Sequence, residues 1–247
     1  MPHELSPDAA LVVFSGGQDS TTCLAWALSR FSRVETVGFR YGQTHAVEMD
    51  VRQELRQRIA ALSSIWADRL GEDHVYHADV IAQISQAPLT GGAERQFRDA
   101  GLPDSFVPGR NLAFMVLAAT LAYRRGLKHL ITGVCETDFS GYPDCRDDTM
   151  KVLQAAINLG TDARFVIHTP LMWIDKKQTW EMAEALGGES LVEIIRSGTH
   201  TCYRGERSTE HAWGFGCGTC DACRLRCIGW QDYAYRDLAE KASYDSK

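Results

Sequence analysis

The chain of 247 residues contains no apolar run approaching the ~20 residues that cross a bilayer as a helix, so no membrane span is expected. It also lacks a surplus of positive charge. Lys and Arg number 26 against 32 Asp and Glu, a net charge of -6. Without a Lys/Arg stripe, the electrostatic footprint of a nucleic acid partner is missing. The opening MPHELSPDAA has no basic stretch followed by an apolar one, the pattern of an export signal, so a soluble cytoplasmic protein is expected. Internal repeats and low-complexity tracts are absent. So is the lysine-bearing pattern G-x-x-x-x-G-K-[ST], which excludes the usual gamma-phosphate transfer loop. What is present is ordinary for a globular enzyme: 45% hydrophobic and 23% charged residues, in a chain long enough for one large domain and a small one.

The most informative stretch is LVVFSGGQDSTTCLA, Leu11 to Ala25. An apolar strand runs into a Ser-Gly-Gly-x-Asp-Ser turn and directly into a helix. Glycines let the chain turn tightly and let a ligand approach the backbone. A helix starting near Asp19 then offers free N–H groups and the positive end of its dipole to an anion. Phe14, Ser15, Gly16, Gly17, Gln18, Asp19, Ser20, Thr21, Thr22, Cys23 and Leu24 are the candidate phosphate-binding residues. Asp19 has a second reading, as the cap of that helix.

Apolar and β-branched runs at Ala9–Phe14, Val34–Phe39, His74–Ala78, His129–Val134 and Arg164–Thr169 predict strands. Helical periodicity fits Asp19–Phe31, His45–Leu70, Asn111–Arg125, Asp147–Leu159 and Lys176–Leu186. The alternation argues for an α/β fold with a doubly wound, mostly parallel sheet, whose ligands sit at the carboxyl ends of the strands. Residues 79–108 break the pattern with prolines and glycines among polar residues, and are expected to form an excursion near the site. From about residue 191 the chain turns Gly- and Cys-rich, followed by a helix over Asp221–Arg236. A main domain over 1–190 and a small subdomain over 191–247 are expected.

Eight cysteines are present, five of them between Cys202 and Cys227. In a chain expected to be cytoplasmic that clustering favours metal over disulfides. Cys217, Cys220 and Cys223 form CGTCDAC, whose two-residue gaps bring three thiolates to one centre. A fourth ligand is required. Cys202, separated from Cys217 by fourteen residues, would complete a four-cysteine zinc site without an open position, structural in role. Cys227 would instead complete C-x2-C-x2-C-x3-C, an iron–sulfur spacing. Cys227 lies four residues after Cys223 and fits equally a buried helix face.

Taken together, SGGQDSTTCL at 15–24, FRYGQTH at 39–45, VPGRN at 107–111, ETDFSGYPDCR at 136–146, TPL at 169–171, and TCYRG with CGTCDAC resemble, in order, the 7-cyano-7-deazaguanine synthase (QueC) family. The loop by itself resembles that of the N-type ATP pyrophosphatases. The resemblance implies an adenine nucleotide alpha hydrolase-like fold and an ATP-dependent ligase. Its substrates would be 7-carboxy-7-deazaguanine and ammonia, and its product a nitrile on the route to queuosine. It further implies Mg2+ with the ATP, one structural Zn2+ on Cys202, Cys217, Cys220 and Cys223, and a homodimer. The loop between Cys202 and Cys217 is longer than the resemblance implies, which adds little closure entropy.

By the same resemblance Ser15, Asp19, Ser20 and Arg110 are catalytic candidates, with Arg110 offering a cation at a helix start to the adenylate or the carboxylate. Glu136, Asp138 and Asp144 are candidates for the N–H edge of a deazaguanine, and Phe139 and Tyr142 for stacking on its rings. Arg110 is a substrate-binding candidate as well. Lys176 and Lys177 open a helix, a poor place for cations unless an anion lies near; phosphate, carboxylate or plain solvent are all open there. His45 and His168 are given structural roles. Two rival functions keep the loop: a tRNA-thiolating enzyme, opposed by the acidic charge balance, and a nucleotide-sensing module, which leaves the polar stretch 136–146 unexplained.

Overall fold

The structure is a computed structural model that describes residues 4–42, 47–84, 106–136 and 142–244, with backbone only for 47–48 and 236–244. Five parallel strands, β1 (Ser6–Val13), β2 (Arg33–Arg40), β3 (Leu70–His77), β4 (Leu127–Ile131) and β5 (Val166–His168), lie in the order β3-β2-β1-β4-β5. The central strand β1 is covered on both faces, which is why its sequence reads as a continuous apolar run: Ala9, Ala10, Leu11 and Val12 are each at most 1% exposed. Alternate residues go to opposite layers. Ala10 and Val12 pack with helices α1 (Gln18–Leu28), α2 (Val47–Ala60) and α7 (Lys176–Gly198), while Ala9 and Leu11 pack with α5 (Arg110–Arg125) and α6 (Asp147–Thr161). Helices on both faces of a parallel sheet are the doubly wound architecture the sequence predicts.

Strand order reverses beside β1, with β2 on one side and β4 on the other. The loops leaving β1 and β4 therefore splay apart at their carboxyl ends, the crevice in which such sheets bind ligands. The Ser-Gly-Gly loop leaves β1 there, and residues 132–136 leave β4.

Element boundaries differ from expectation in a few informative places. The helix predicted over His45–Leu70 is two helices, α2 and α3 (Ser64–Arg69), because the chain becomes extended at Ser63 (φ -157°). Strand β3 then starts at Leu70, four residues before the predicted start. Helix α7 does not end at Leu186. Gly187 and Gly188 (φ 65°) form a kink, not a stop, and the helix resumes to Gly198. Leu191, Val192, Ile194 and Ile195 from its second half join the core that also holds β1 and α1, so both sides of residue 190 share one packing layer. Helix α4 (Val80–Ile84) occupies the start of the predicted excursion and residues 106–108 its end; residues 85–105 fall outside the described residues. The final helix, α8 (Asp221–Tyr244), runs beyond the predicted Arg236, and a hairpin of β6 (Glu210–His211) and β7 (Gly214–Phe215) precedes it.

Two polar clusters support the sheet, one buried and one half-buried. Glu35 in β2, 1% exposed, accepts hydrogen bonds from Arg125 (2.9 Å), His74 (2.8 Å) and Arg33. Burial would raise its pKa, but these donors win and hold it at about 2. On the other side, the rings of His129 and His168 meet at 2.8 Å (Nδ1 to Nε2) against Phe31 and Trp26. His129 Nε2 lies 2.8 Å from the Pro7 carbonyl and must donate to it, so its Nδ1 accepts from His168. Burial lowers the pKa of both rings, so both are neutral at pH 7.

That pair gives a pH signature. Burial, then the neighbouring His129 and Arg30, depress His168 from 6.5 to about 4, and burial depresses His129 as well. Between those values the unfolded chain binds protons that the folded pair refuses. Its contribution is complete above pH ~6.5 and is lost as pH falls toward about 4. Denaturant unfolding at pH 7.5 and pH 5 is expected to give a smaller stability difference in His168→Phe than in the unsubstituted chain; an equal difference refutes the assignment.

Candidate functional site

At the end of β1, Phe14 is buried and Gly16 adopts φ 95°, a conformation that a residue with a Cβ reaches only under strain. Gly17 is the N-cap of α1, so Asp19 sits in the first turn of the helix and the capping role considered for it is not the one it has. The loop is wound around one hydroxyl. Ser20 Oγ accepts from the backbone N–H groups of Ser15 (3.2 Å) and Gly16 (3.2 Å), lies 3.1 Å from Ser15 Oγ, and donates to the Gly17 carbonyl at 3.1 Å. Thr21 and Thr22 turn their hydroxyls back onto the Gly17 and Gln18 carbonyls at 2.8 and 3.1 Å. Together with Cys23 and Leu24 they are 0% exposed and form the buried wall of the helix. Burial, then the Asp19 carboxylate, push the Cys23 thiol well up, which leaves it unreactive.

Asp19 has two differently placed oxygens. Oδ2 accepts from Lys176 Nζ at 2.7 Å, while Oδ1 is buried with no partner among the described residues. Gln18, 2% exposed, also has its amide oxygen and nitrogen without protein partners. Such groups are costly unless something bonds to them. An unmatched carboxylate oxygen at a dipole-positive helix end fits a hard cation such as Mg2+ carried in with phosphate. Lys176, first residue of α7, thus meets an anion, whereas Lys177 lies 3.6 Å from Glu181 on its own helix. The loop after β4 closes the other side: a Cβ on Gly133 would lie 3.2 Å from Asp19 Cβ, so only glycine lets the strands' ends come this near without displacement.

Arg110 opens α5 directly after Gly109 (φ 73°) and lies half-buried with its guanidinium 5.8 Å from the Tyr41 ring centroid. Burial alone would lower its pKa. Tyr41, Tyr142, Asp144 and Tyr203 around it reverse the sign and keep the cation charged. The structure therefore brings Arg110, Tyr142 and Asp144 together, and adds Tyr41 and Tyr203, which no motif had singled out as ligands. The carboxylates also serve helix ends. Asp144 Oδ2 accepts from the Asn111 N–H of α5 at 3.0 Å, and Glu136 Oε2 from the Asp147 N–H of α6 at 3.0 Å. Tyr142 stacks on Phe106 with centroids 5.6 Å apart. Asp138 and Phe139 lie outside the described residues.

Cys202, Cys217, Cys220 and Cys223 place their sulfurs within 4.8 Å of one another. Cys217–Cys223 and Cys202–Cys220 are each 4.0 Å apart, close to the ~3.8 Å edge of a tetrahedron with ~2.3 Å zinc–sulfur bonds. The donor set therefore fits Zn2+, and Cys227 does not belong to it; its side chain packs with Trp213 and Trp230 instead. Gly216 and Gly218 (φ 70°) make the knuckle possible: a Cβ on Gly216 would lie 2.7 Å from Cys223 Sγ.

The cysteine unit is tied to the main body by Arg226, fully buried at 0% exposure. Its guanidinium donates to the Trp213 carbonyl (2.9 Å), to Thr199 and Thr201 hydroxyls (2.8 Å each), and to the Ile195 (2.9 Å) and Arg196 (3.1 Å) carbonyls that end α7. Burial lowers its pKa to about 10, which still leaves it charged at neutral pH.

Two expectations follow. Metal analysis should find one zinc per chain in Cys227→Ser and substoichiometric zinc in Cys202→Ser; the reverse would move the fourth ligand. Arg226→Met should lower stability by at least ~3 kcal/mol, because several buried oxygens lose their donor together; a denaturation midpoint shift near zero would contradict that.

Comparison with known proteins closes the description. Residues 9–234 match the family described as "Queuosine biosynthesis protein QueC". A protein of Sphingopyxis alaskensis named "7-cyano-7-deazaguanine synthase 2" is 61% identical over 91% of this chain and 95% of its own. One from Gluconobacter oxydans named "7-cyano-7-deazaguanine synthase" is 58% identical over 93% and 95% respectively. One of that name from Azorhizobium caulinodans is 59% identical over 94% and 96%.

Proposed function

This chain belongs to the QueC family of queuosine biosynthesis proteins, and we propose that its glycine loop, Asp19 and Arg110 carry the ATP-dependent ligation of 7-carboxy-7-deazaguanine to ammonia, giving 7-cyano-7-deazaguanine. The observation that carries this is the cradle at the β1/β4 crevice, with an unmatched carboxylate oxygen on Asp19 and the Arg110 cation as its polar groups. A carboxylate and ammonia do not condense in water, since the oxygen leaves too poorly. Attack of a carboxylate oxygen on the α-phosphorus of ATP releases pyrophosphate and turns that oxygen into part of AMP. Ammonia then attacks the acyl carbon and AMP leaves, giving the amide. The amide oxygen repeats the attack on a second ATP, and loss of AMP with two protons gives the nitrile. Both oxygens of the acid end in AMP.

Each residue has a role in this reading. Ser15, Gly16, Gly17 and Ser20 hold the departing pyrophosphate through N–H groups and hydroxyls, and the first turn of α1 favours its charge. Asp19 would hold Mg2+ with its unmatched oxygen, and the ion would offset phosphate charge. Arg110 offsets charge building at the adenylate. Asp144 and Glu136 present their remaining lone pairs to the N–H edge of the base, with Tyr142 against its face. The reading assigns the ATP chemistry to 1–190 and the metal staple to 191–247, and takes the protein to work in the cytoplasm as a homodimer.

The test is product analysis of purified protein with ATP, Mg2+, ammonium and 7-carboxy-7-deazaguanine, omitting each in turn. AMP, pyrophosphate and the nitrile are expected only from the full mixture. Asp19→Asn should reduce turnover by at least ~100-fold, a loss comparable to removing one transition-state donor. Formation of ADP, or indifference to the acid, would sink the assignment.

A further inference from the structure

The four-cysteine unit touches the glycine loop by two separate routes. Along the first, the His200 backbone N–H donates to the Gly16 carbonyl at 3.3 Å, and the His200 ring Nε2, 3.2 Å from the Cys202 carbonyl, donates to that oxygen. His200 is 1% exposed, so neither bond is shared with water. Gly16 is the loop residue at φ 95°, the peptide whose orientation decides whether the following N–H groups face a phosphate. Along the second, Gly229 of α8 lies flat on the start of α7: a Cβ there would sit 2.4 Å from Lys176 Cβ and 3.0 Å from the Lys177 nitrogen. Lys176 is the residue that holds Asp19. One end of the cysteine unit therefore bears on the loop's glycine peptide, and the helix that carries Cys223 bears on the partner of the loop's carboxylate.

We propose that His200 is a positioning residue for the nucleotide loop, and that metal occupancy of the four cysteines is coupled through it to ATP affinity. This deepens the reading of the loop as the ATP site and rests on it. The physical reason is geometric. Fourteen residues separate Cys202 from the next cysteine, so the metal anchors Cys202 itself, next to the hold that Arg226 has on Thr199 and Thr201. Fixing Cys202 fixes the carbonyl to which the His200 ring is bonded, hence the position of the His200 N–H, hence the Gly16 peptide. The zinc need not touch substrate to affect the reaction.

His200→Leu keeps the volume and the backbone N–H but removes the ring donor. Loss of one buried hydrogen bond predicts ATP affinity weaker by about three- to tenfold, read by equilibrium titration with a non-hydrolysable ATP analogue. Zinc content should stay at one per chain, KM for ATP should rise with kcat little changed, and His200→Asn, which can still donate to a carbonyl, should recover part of the loss. Hydrogen exchange supplies a readout independent of ATP and of the variant's folding. In the unsubstituted chain stripped of metal by chelation, amides of Ser15–Ser20 should exchange faster than in the zinc-loaded chain while those of β1 are unchanged. Equal loop exchange with and without zinc, or a zinc-replete His200→Leu that binds the analogue as tightly as the unsubstituted chain, overturns the coupling. An unsubstituted chain that binds no ATP analogue overturns the ATP reading itself, whatever the exchange data give.

Discussion

A buried cation without an anionic hydrogen-bond partner holds this structure together. Arg226 gives its donors to neutral oxygens only: two carbonyls at the end of α7, two threonine hydroxyls and the carbonyl of Trp213. A lone guanidinium in the interior is costly. What offsets that cost is the carbonyl-rich end of a helix, where the dipole is negative and unpaired oxygens await donors. The planar fork matters, since lysine could not reach five oxygens spread over three segments. Through this one side chain the end of α7, the segment 199–201 and the β6–β7 hairpin are fixed in relation to α8. The Trp180 ring under the guanidinium, 5.5 Å away, closes the arrangement from the core side. Cys202 is positioned by the same segment, so the cation and the metal constrain neighbouring stretches of one chain.

Helix ends recur as the currency of this fold. Asp144 satisfies the start of α5, Glu136 the start of α6, and Asp175 caps α7 in a reciprocal box with Gln178. Helix α1 is different: its cap is a glycine with no side-chain bond. At the crevice, no side chain bonds the cap of α1, and its first-turn acid, Asp19, is turned to Lys176. On the proposed reading that leaves the β1 loop as the receptor, while the starts of α5, α6 and α7 are structural joints. A carboxylate serving as a cap keeps lone pairs to spare, so Glu136 and Asp144 can fix helices and still face a ligand; removing either would disturb both.

Most of the fold was legible because β1, β2 and α1 obey local rules: an apolar run, a glycine turn, a helical period. The doubly wound parallel sheet also followed from alternation, since helices between parallel strands must cover both faces; the strand order did not. What sequence could not convey was non-local. Gly187-Gly188 reads as a stop by any helix rule, yet Leu191 and Ile195 beyond it have a core waiting for them, and packing restarts the helix. His200 and Arg226 carry no motif of their own, and Tyr203 sits in TCYRG without a role the motif assigns; their roles come from segments that meet only in three dimensions. Lys176 was partly visible, as a cation where a helix disfavours one. The metal ligands were the opposite case. Spacing fixed three of them, and the choice between Cys202 and Cys227 needed the distances between sulfurs.

The cradle's self-contained bonding bears on how it could work twice in one reaction. Without a ligand, the Ser15 and Gly16 N–H groups are both satisfied by the Ser20 hydroxyl. An incoming phosphate would therefore exchange one acceptor for another and would not fill empty donors. The gain is the difference between a charge-assisted bond and a neutral one, roughly a factor of two per bond. A loop with bare buried donors would hold pyrophosphate more tightly and release it more slowly. If the loop serves two adenylations in succession, as proposed, modest retention is the better compromise: the first pyrophosphate must leave before the second ATP enters. The unmatched Asp19 oxygen then distinguishes arrival from departure, since it gains a partner only when a cation accompanies the phosphates. On the proposed reading, affinity resides in the pairing of Asp19 with that cation, and turnover in the ease with which Ser20 takes its two N–H groups back.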